Sequence, residues 1–465
     1  MKTTRLMLLM LVLSAALAFA GGQQEPAPQP EPTEPEQEEE REITLWTTEE
    51  QPERMEVQEN IAAAFEEDTG IAVEVVPVTE NEMGQRVTAA FSAGELPDII
   101  YHPLNFTLSW ADAGILDATA ATDVIESLGE ETYGAGVLSL VETGGDYAAV
   151  PVDGWTQLLV YRADLFEDEG LDPPTDYESI RAAIDALHDP PDMHGFVAAT
   201  DPSQVYMMQV FEHIALANGV DVVDDEGNVN LDTEAMRETL EFYKELADAS
   251  PSGNLYWQQS RELFFAGEAA MIVWSPFVLD ELAGLRDDAP VTFTDDPTSA
   301  ELARRTGFAT RLAGPSNPDG SGWTDVRYFG ITVDADVAAA QQFVEYSMNE
   351  GYIDTLEIAP EGKFPVRRGT QSEPDRFLEE WSELEVGVER KMPLSEIYSE
   401  EVIESLVEGL ETGSRWGFDK GYGGLTSKLY DTRVIAEIVR EYIDGDISVD
   451  EALSEMQSGV ESLQD

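Results

Sequence analysis

The chain has 465 residues, with 94 Asp and Glu against 26 Lys and Arg, and its formal net charge at pH 7 is −68. This length suggests two or three domains, and a hydrophobic content of 42% excludes a disordered or collagen-like chain. A field of this sign repels nucleic acid and anionic lipid, so we expect no nucleic-acid partner. The chain has no cysteine, which excludes disulfides, thiolate metal sites and a cysteine nucleophile.

The first 41 residues have the pattern of an export segment. Lys2 and Arg5 precede an apolar stretch, and Ala18-Phe19-Ala20 has the spacing of a cleavage site. We therefore predict a signal peptide over residues 1–20, with an uncleaved membrane anchor as the alternative. Residues 21–41 are rich in Pro, Glu and Gln without hydrophobic periodicity, which is typical of a disordered acidic tether. The predicted location is periplasmic or extracellular, without a lipid-modified lipobox cysteine.

Short hydrophobic strands and amphipathic helices alternate from residue 42 onward. Strands are predicted at residues 43–46, 73–78 and 96–101, and the helices between them end at Gly70 and Gly94. Strand, helix and strand with short connections favour an α/β fold, with a parallel sheet covered on both faces.

The later elements are less regular. Adjoining strands are predicted at residues 147–152 and 157–161 around a break at Asp153-Gly154, followed by a helix at 177–187 and another capped by Asp232 or Thr233. Further strands are predicted at 269–273 and 328–333, and the last hundred residues are mostly helical in pattern.

Several stretches follow one another in an order that is more specific than any one of them. They are Ile43-Thr44-Leu45-Trp46, residues 65–73 (FEEDTGIAV), residues 94–100 (GELPDII), the stretch from Val150 to Pro174, residues 264–271 (FFAGEAAM) and residues 363–368 (KFPVRR). Together they resemble the family 1 extracellular solute-binding proteins of ABC sugar importers, which include maltose-binding proteins. Two departures are the missing lipobox cysteine and Ser275-Pro276-Phe277 where the family often has Gly-Pro-Trp.

The resemblance implies a two-lobed, type II periplasmic-binding-protein-like fold. Its lobes would be built from separated stretches, joined by hinge crossovers, with a ligand cleft between them. The implied N-terminal lobe is 42–150 plus 306–365, and the implied C-terminal lobe is 151–305 plus 366–465. Such a protein captures a sugar or oligosaccharide and delivers it to the membrane permease of an ABC importer. It would be a monomer without catalytic activity or cofactor.

Sugar recognition needs flat aromatic surfaces and fixed hydrogen-bonding partners. Loops after the first strands and the predicted crossover offer both kinds of group in Trp46, Glu49, His102, Asn105, Asp153 and Trp155. Later loops and strand ends add Gln204, Tyr206, Trp257, Trp274 and Trp323, and Arg367 is the best basic candidate because its guanidinium offers a planar set of donors. Each has a structural alternative: core packing for the aromatics, turn or hinge structure for the loop residues, a helix-start acid for Glu49 and an ion pair for Arg367.

Two other functions remain open at this point. The same fold could bind a peptide or polyamine, or the chain could be a secreted glycan-cleaving enzyme, which needs two carboxylates facing one bond. The four histidines lack zinc-ligand spacing. In the acidic stretch 221–232, the first and last positions of an EF-hand loop set by Gly227 would be Val222 and Thr233, which are not carboxylates, so no metal is predicted.

Overall fold

The computed structural model describes residues 41–464. The predicted signal peptide at 1–20 and the tether at 21–41 therefore fall outside the described residues, except that Arg41 is the first residue of a strand. In the described part of the chain, no helix combines the length and the apolar character needed to span a lipid bilayer.

Fifteen strands are defined in residues 41–464. They are β1 (Arg41–Thr47), β2 (Ile71–Pro77), β3 (Ile99–Pro103), β4 (Glu142–Thr143), β5 (Asp146–Tyr147), β6 (Val150–Thr156), β7 (Leu158–Arg162), β8 (Met271–Trp274), β9 (Thr306–Ala309), β10 (Leu312–Gly314), β11 (Asn317–Ile331), β12 (Phe364–Pro365), β13 (Glu385–Val386), β14 (Met392–Pro393) and β15 (Gly413–Ser414).

The same residues form twenty α-helices and one 3₁₀ turn at Glu130–Thr132. The helices are α1 (Pro52–Thr69), α2 (Glu80–Ala93), α3 (Leu104–Asp112), α4 (Ala118–Leu128), α5 (Ala135–Ser139), α6 (Ala163–Glu169), α7 (Tyr177–Leu187), α8 (Val205–Ala217), α9 (Glu234–Asp248), α10 (Trp257–Ala266), α11 (Val278–Leu282), α12 (Glu301–Arg304), α13 (Val337–Ser347), α14 (Tyr352–Glu357), α15 (Arg376–Ser382), α16 (Leu394–Ile397), α17 (Glu400–Thr412), α18 (Gly423–Thr432), α19 (Val434–Asp444) and α20 (Val449–Gln464).

Local sequence explains where several helices begin and end. Pro52 occupies the start of α1, and Gly70 ends the helix with φ of 76°, a conformation that glycine adopts without a Cβ clash. The side chain of Asp176 accepts the backbone N–H of Ser179 at the start of α7, and Thr233 caps α9 in the same way.

The larger sheet has the strand order β12-β6-β11-β3-β1-β2. β1 pairs in parallel with β2 and β3, whereas β11 runs antiparallel to β3 and β6. The carboxyl ends of β1, β2 and β3 therefore lie at one edge, where the first residues of α2 and α3 follow. Ligands of open α/β sheets bind at this edge.

The predicted strand break at Asp153-Gly154 is wrong, because β6 runs without interruption from Val150 to Thr156. The glycine serves close packing instead of a turn. A Cβ atom at Gly154 would lie 2.7 Å from the carbonyl oxygen of Asp325 and 2.7 Å from Cδ1 of Leu410. The chain passes to the next strand at Gln157, whose N–H donates to the carbonyl of Trp323.

The smaller sheet has the order β8-β7-β9. Three adjacent crossings connect its side of the molecule to the side of the larger sheet: residues 156–158 join β6 to β7, residues 310–323 lead from β9 into β11, and residues 413–415 lead from α17 toward α18. At the crossings, Gly322 pairs with Gly413 and Trp323 with Ser414. The expected lobe boundaries at 150 and 306 stay predictions, and the strand pairing bears on both positions. β6 belongs to the larger sheet through Thr156, and β9 at Thr306–Ala309 belongs to the smaller one.

Buried hydrophobic side chains form two clusters. One contains side chains of the larger sheet such as Leu45 and Ile100, and it extends to one face of the smaller sheet through Val160. The other lies against the opposite face of the smaller sheet and includes Leu159 and Phe211, with helices α8, α9, α19 and α20 around it. The smaller sheet is thus covered on both faces.

Candidate functional site

A cavity of about 380 Å³ opens between the helices that follow the two sheets. This volume falls within the range of ligand pockets, roughly 300–1,000 Å³. The larger sheet and the helices that follow its strands contribute Glu80, Pro103, Asn105 and Asp325, and the crossings contribute Trp323 and Arg415. The remaining wall consists of Val205, Gln209, Phe418, Thr426, Ser427, Tyr430 and Asp431.

Helices α3 and α18 close one side of the cavity. The Oγ of Ser427 donates to the carbonyl oxygen of Asn105 at 2.9 Å, which joins a helix of the smaller-sheet side to a helix of the larger-sheet side. The Asn105 side chain is exposed. An amide at this position can donate to and accept from a ligand hydroxyl.

An indole forms the floor of the cavity. Trp323 lies at a crossing and is fully buried, with its ring centroid 4.8 Å from that of Trp155. The guanidinium carbon of Arg415, which also lines the cavity, is 4.4 Å from the centroid of the Trp323 ring. Two predicted aromatic residues therefore meet where the two sheets are joined, beneath a cation.

Two carboxylates hold this cation in place. The Arg415 Nε donates to Glu212 Oε1 at 3.0 Å, and its Nη1 is 3.5 Å from Asp325 Oδ1. Glu212 also accepts the N–H of Trp416 at 2.8 Å and the hydroxyl of Tyr430. Burial lowers the pKa of Arg415, but Glu212, Tyr430 and Asp325 outweigh this effect and raise the pKa above its usual value. Burial raises the pKa of Asp325, and Arg415 opposes that rise.

A second aromatic group lies beside the cavity. Val205 lines the cavity, and the next residue, Tyr206, makes an edge contact with Trp274 at 5.4 Å between ring centroids. Trp257 stacks on Trp274 at 4.8 Å with an interplanar angle of 17°. Both indoles are partly exposed, whereas Tyr206 is buried and donates its hydroxyl to the carbonyl of Val273. Gln204 precedes α8 and is exposed.

The end of β1 carries two of the predicted residues. Trp46 is partly buried, and the guanidinium carbon of Arg86 is 4.5 Å from the centroid of its ring. Glu49 makes ion pairs with Arg54 at 2.7 Å and Lys363 at 2.8 Å. Burial raises the pKa of Glu49, but these two cations prevail and hold it at about 2. Neither residue is among those that line the cavity.

Three residues that were expected to contact a ligand are buried and engaged with other residues of the protein. His102 is fully buried between Trp110 and Tyr328, and burial lowers its pKa to about 4. Asp153 is 2% exposed; it accepts the hydroxyl of Tyr101 at 2.6 Å and pairs with Lys363 at 3.2 Å.

Arg367 is the third of these residues. It is fully buried away from the cavity, and its guanidinium donates to the Oγ1 of Thr132 at 2.9 Å, to the carbonyl of Leu128 at 3.1 Å and to that of Met348. Its N–H donors therefore bind backbone and side-chain oxygens inside the protein and are not available to a ligand.

Of the predicted residues, Asn105 and Trp323 line the cavity, and Trp155 packs against Trp323. Gln204 and Tyr206 adjoin the lining residue Val205 in the chain, and Trp274 and Trp257 are connected to it through Tyr206. Sequence reasoning missed Arg415, Asp325, Tyr430 and Gln209. The pairing of Glu212 with Arg415 joins positions 203 residues apart, which no local pattern reveals. Within residues 41–464, no group of three or more His, Cys, Asp or Glu side chains is arranged to hold a metal ion.

Comparisons with known proteins identify the family and the fold. The family model described as bacterial extracellular solute-binding protein matches residues 60–375. The chain is 29% identical over 246 residues to the ABC transporter periplasmic-binding protein YcjN of Escherichia coli strain K12, and the match covers 52% of this chain and 57% of that protein. The chain therefore spans little more than half the length of this relative.

Solved structures show the same fold across most of the chain. A cyclic α-maltosyl-1,6-maltose binding protein from Arthrobacter globiformis is 17% identical with a TM-score of 0.68, covering 91% of this chain and 98% of its own. The maltose-bound T. maritima MalE3 is 18% identical with a TM-score of 0.62, covering 91% and 99%. A solute-binding protein from Agrobacterium radiobacter in complex with ribitol is 21% identical with a TM-score of 0.59, covering 91% and 98%. The predicted two-lobed α/β fold is confirmed.

Proposed function

Because the chain belongs to the bacterial extracellular solute-binding proteins, we propose that it captures a sugar or oligosaccharide between its lobes and delivers it to the permease of an ABC importer. The observation that carries the proposal is the cavity of about 380 Å³, to which both sides of the molecule and the crossings contribute side chains. A ligand that fills it contacts both lobes at once, so binding favours the closed arrangement.

The chemistry of the wall favours a polyhydroxylated ligand. Tyr430 and Val205 line the cavity, are not buried and offer apolar surface, while Asn105, Gln209 and Asp325 offer amide and carboxylate groups around it. A sugar presents an apolar ring face and a rim of hydroxyls, and this mixture matches both. The structurally similar proteins include binders of maltose and of ribitol, which are ligands of the same chemical kind.

We assign the lobes from the strand pairing. The first lobe would comprise residues 41–156 and 323–413, and the second would comprise residues 157–322 and 414–464. Rotation about the three adjacent crossings then opens and closes the cavity. We also propose that the chain is exported, acts as a monomer and binds its solute without catalysis, as its family membership favours.

A thermal-shift panel with the purified protein tests the proposed function. The panel contains maltotetraose, laminaribiose, ribitol, spermidine and a tripeptide. We expect a saccharide or polyol to stabilise the protein, by about 2.7 kcal/mol when its concentration is 100 times its Kd. Stabilisation by spermidine or the tripeptide alone would contradict sugar binding, and chromatographic detection of shortened saccharides would indicate an enzyme instead.

A pair of substitutions connects the panel to the cavity. Asn105→Ala and Gln209→Ala remove one amide from each wall, and both positions lie on the cavity. We expect each variant to keep its melting temperature without saccharide and to lose most of the saccharide-induced shift. An unchanged shift in both variants would mean that the saccharide binds elsewhere.

A further inference from the structure

The charged side chains that line the cavity are mostly acidic. Arg415 is the one basic side chain among the described residues that line the cavity, whereas Glu80, Asp325 and Asp431 are acidic. We propose that this site selects uncharged saccharides and rejects acidic ones, and that Glu212 and Asp325 impose this selectivity by neutralising Arg415. This inference rests on the proposed function and deepens it.

The geometry of Arg415 is that of a donor whose charge is already balanced. Its Nε is engaged by Glu212 at 3.0 Å and its Nη1 by Asp325 at 3.5 Å, which leaves Nη2 as the donor for a ligand. One face of the guanidinium lies on the Trp323 ring. A guanidinium fixed in this way can donate a hydrogen bond to a hydroxyl, but two carboxylates already offset its charge.

Glu212 acts through Arg415 and not on the ligand. It is fully buried, with its oxygens taken by Arg415, the Trp416 N–H and the Tyr430 hydroxyl. It is therefore a positioning residue that fixes the orientation of the cation and cancels its charge. Because Tyr430 also lines the cavity, the same carboxylate orients two cavity side chains.

The other carboxylates make an acidic ligand costly. Glu80 is paired with Arg327 at 3.0 Å, so Arg327 offers no uncompensated charge. Asp431 is exposed at the rim. A uronate would bring its carboxylate to Asp325 and Asp431 without an uncompensated cation, and both desolvation and like-charge repulsion would weaken its binding. Hydroxyls suffer neither penalty and can donate to the same carboxylates.

The experiment compares two probes that differ at C6, where one has a neutral hydroxymethyl group and the other a carboxylate. They are maltotetraose and maltotetraose oxidised to glucuronate at C6, replaced by laminaribiose and its C6-oxidised form if the panel selects that disaccharide. Calorimetric titration gives the Kd of each probe for the wild-type protein and for Glu212→Gln, Asp325→Asn and Glu226→Gln. Glu226→Gln is the matched control, because Glu226 is an exposed carboxylate outside the cavity.

We expect the wild-type protein to bind the neutral probe at least tenfold more tightly than the oxidised one. Glu212→Gln and Asp325→Asn each remove one of the charges that balance Arg415. Each should therefore lower the ratio of the Kd of the oxidised probe to that of the neutral probe about tenfold, whereas Glu226→Gln should leave this ratio unchanged. Asp325→Asn keeps the test decisive if Glu212→Gln fails to fold.

Two results would overturn the inference. One is equal affinity of the wild-type protein for the two probes, and the other is the same ratio in Asp325→Asn as in Glu226→Gln. In both cases the proposed function survives, because the neutral probe still binds. If no saccharide binds the wild-type protein, the proposed function fails and this inference fails with it.

Discussion

Among individual residues, Asp280 has the most unusual surroundings. Its side chain is fully buried, and neither carboxylate oxygen has a hydrogen-bond partner among the described residues. The charged groups that face it are Glu361, Glu281 and Arg286, whose Nη1 is 3.9 Å from Oδ2, while the hydroxyl of nearby Tyr398 is occupied by the Leu279 carbonyl. Burial first, and then Glu361, raise the pKa of Asp280 to about 8.

This pKa predicts a pH-dependent stability. An Asp with an ordinary pKa of 3.8 in the unfolded chain and about 8 in the folded chain makes the folded state bind an additional proton between these values. The free energy of unfolding should therefore be highest below about pH 4 with respect to this group and should fall as pH rises toward 8. Other acidic groups add their own slopes, so the comparison must be made between variants.

Asp280→Asn isolates the effect of this residue, because it keeps the shape and removes the titration. We expect urea unfolding to show that the variant gains stability relative to wild type as pH rises from 5 to 8, with a smaller difference at the lower pH. Asp295→Asn, at an exposed position, is the control. A constant difference between Asp280→Asn and wild type across this range would show that Asp280 is ionised throughout.

At the scale of single residues, the sequence predicted which chemical types of residue form the site better than it predicted which of the candidate side chains are accessible to a ligand. Trp323 and Asn105 line the cavity, because strand ends and crossings meet there, and Trp155 packs against Trp323. Asp153 and Arg367 have equally suitable chemistry, but their partners, Lys363 and the carbonyl of Leu128, come from segments more than 200 residues away. Tertiary structure decides which polar side chains form such pairs, and the local spacing of residues in the sequence does not contain this information.

Among the secondary-structure elements, those with strong periodicity and local end signals were predicted well. The predicted helix at 177–187 has the observed bounds of α7, and Thr233 caps α9 as one of the two proposed residues. β6 was misinterpreted, because a glycine in a strand resembles a turn signal. The reason for Gly154 lies in β11 and α17, which pack against it from distant parts of the sequence.

Gly154→Ala tests this explanation of the crossing strand. The added Cβ would lie 2.7 Å from the Asp325 carbonyl oxygen, which is backbone and cannot move without disturbing β11. We expect a loss of about 1–3 kcal/mol in the free energy of unfolding, the usual cost of overpacking. Gly424→Ala in α18 is the control, because the added Cβ would have no atom within 4 Å apart from its chain neighbours and the nearby backbone of α18. Equal stability of the two variants would refute the close-packing role.

At the scale of the whole molecule, two sheets share three adjacent crossings, and the cavity lies beside them. Trp323 and Arg415 sit on two of the crossings, so the floor of the cavity is part of the joint itself. A ligand on this floor that also contacts Asn105 on one side and Gln209 on the other would connect both lobes. Because the ligand makes more contacts in the closed state, it binds that state more tightly than the open one. This difference in affinity sets how far the population shifts toward the closed state.

Lobe closure can be measured directly because the chain has no cysteine. Thr88→Cys in α2 and Ser454→Cys in α20 place two spin labels at exposed positions, one on each proposed lobe. Double electron–electron resonance then gives the distance distribution between the labels with and without the saccharide selected by the thermal-shift panel. We predict a shorter and narrower distribution with saccharide, and the shift should disappear when Asn105 and Gln209 are both replaced by Ala. An identical distribution with and without saccharide, at a concentration that saturates binding, would contradict capture between two closing lobes.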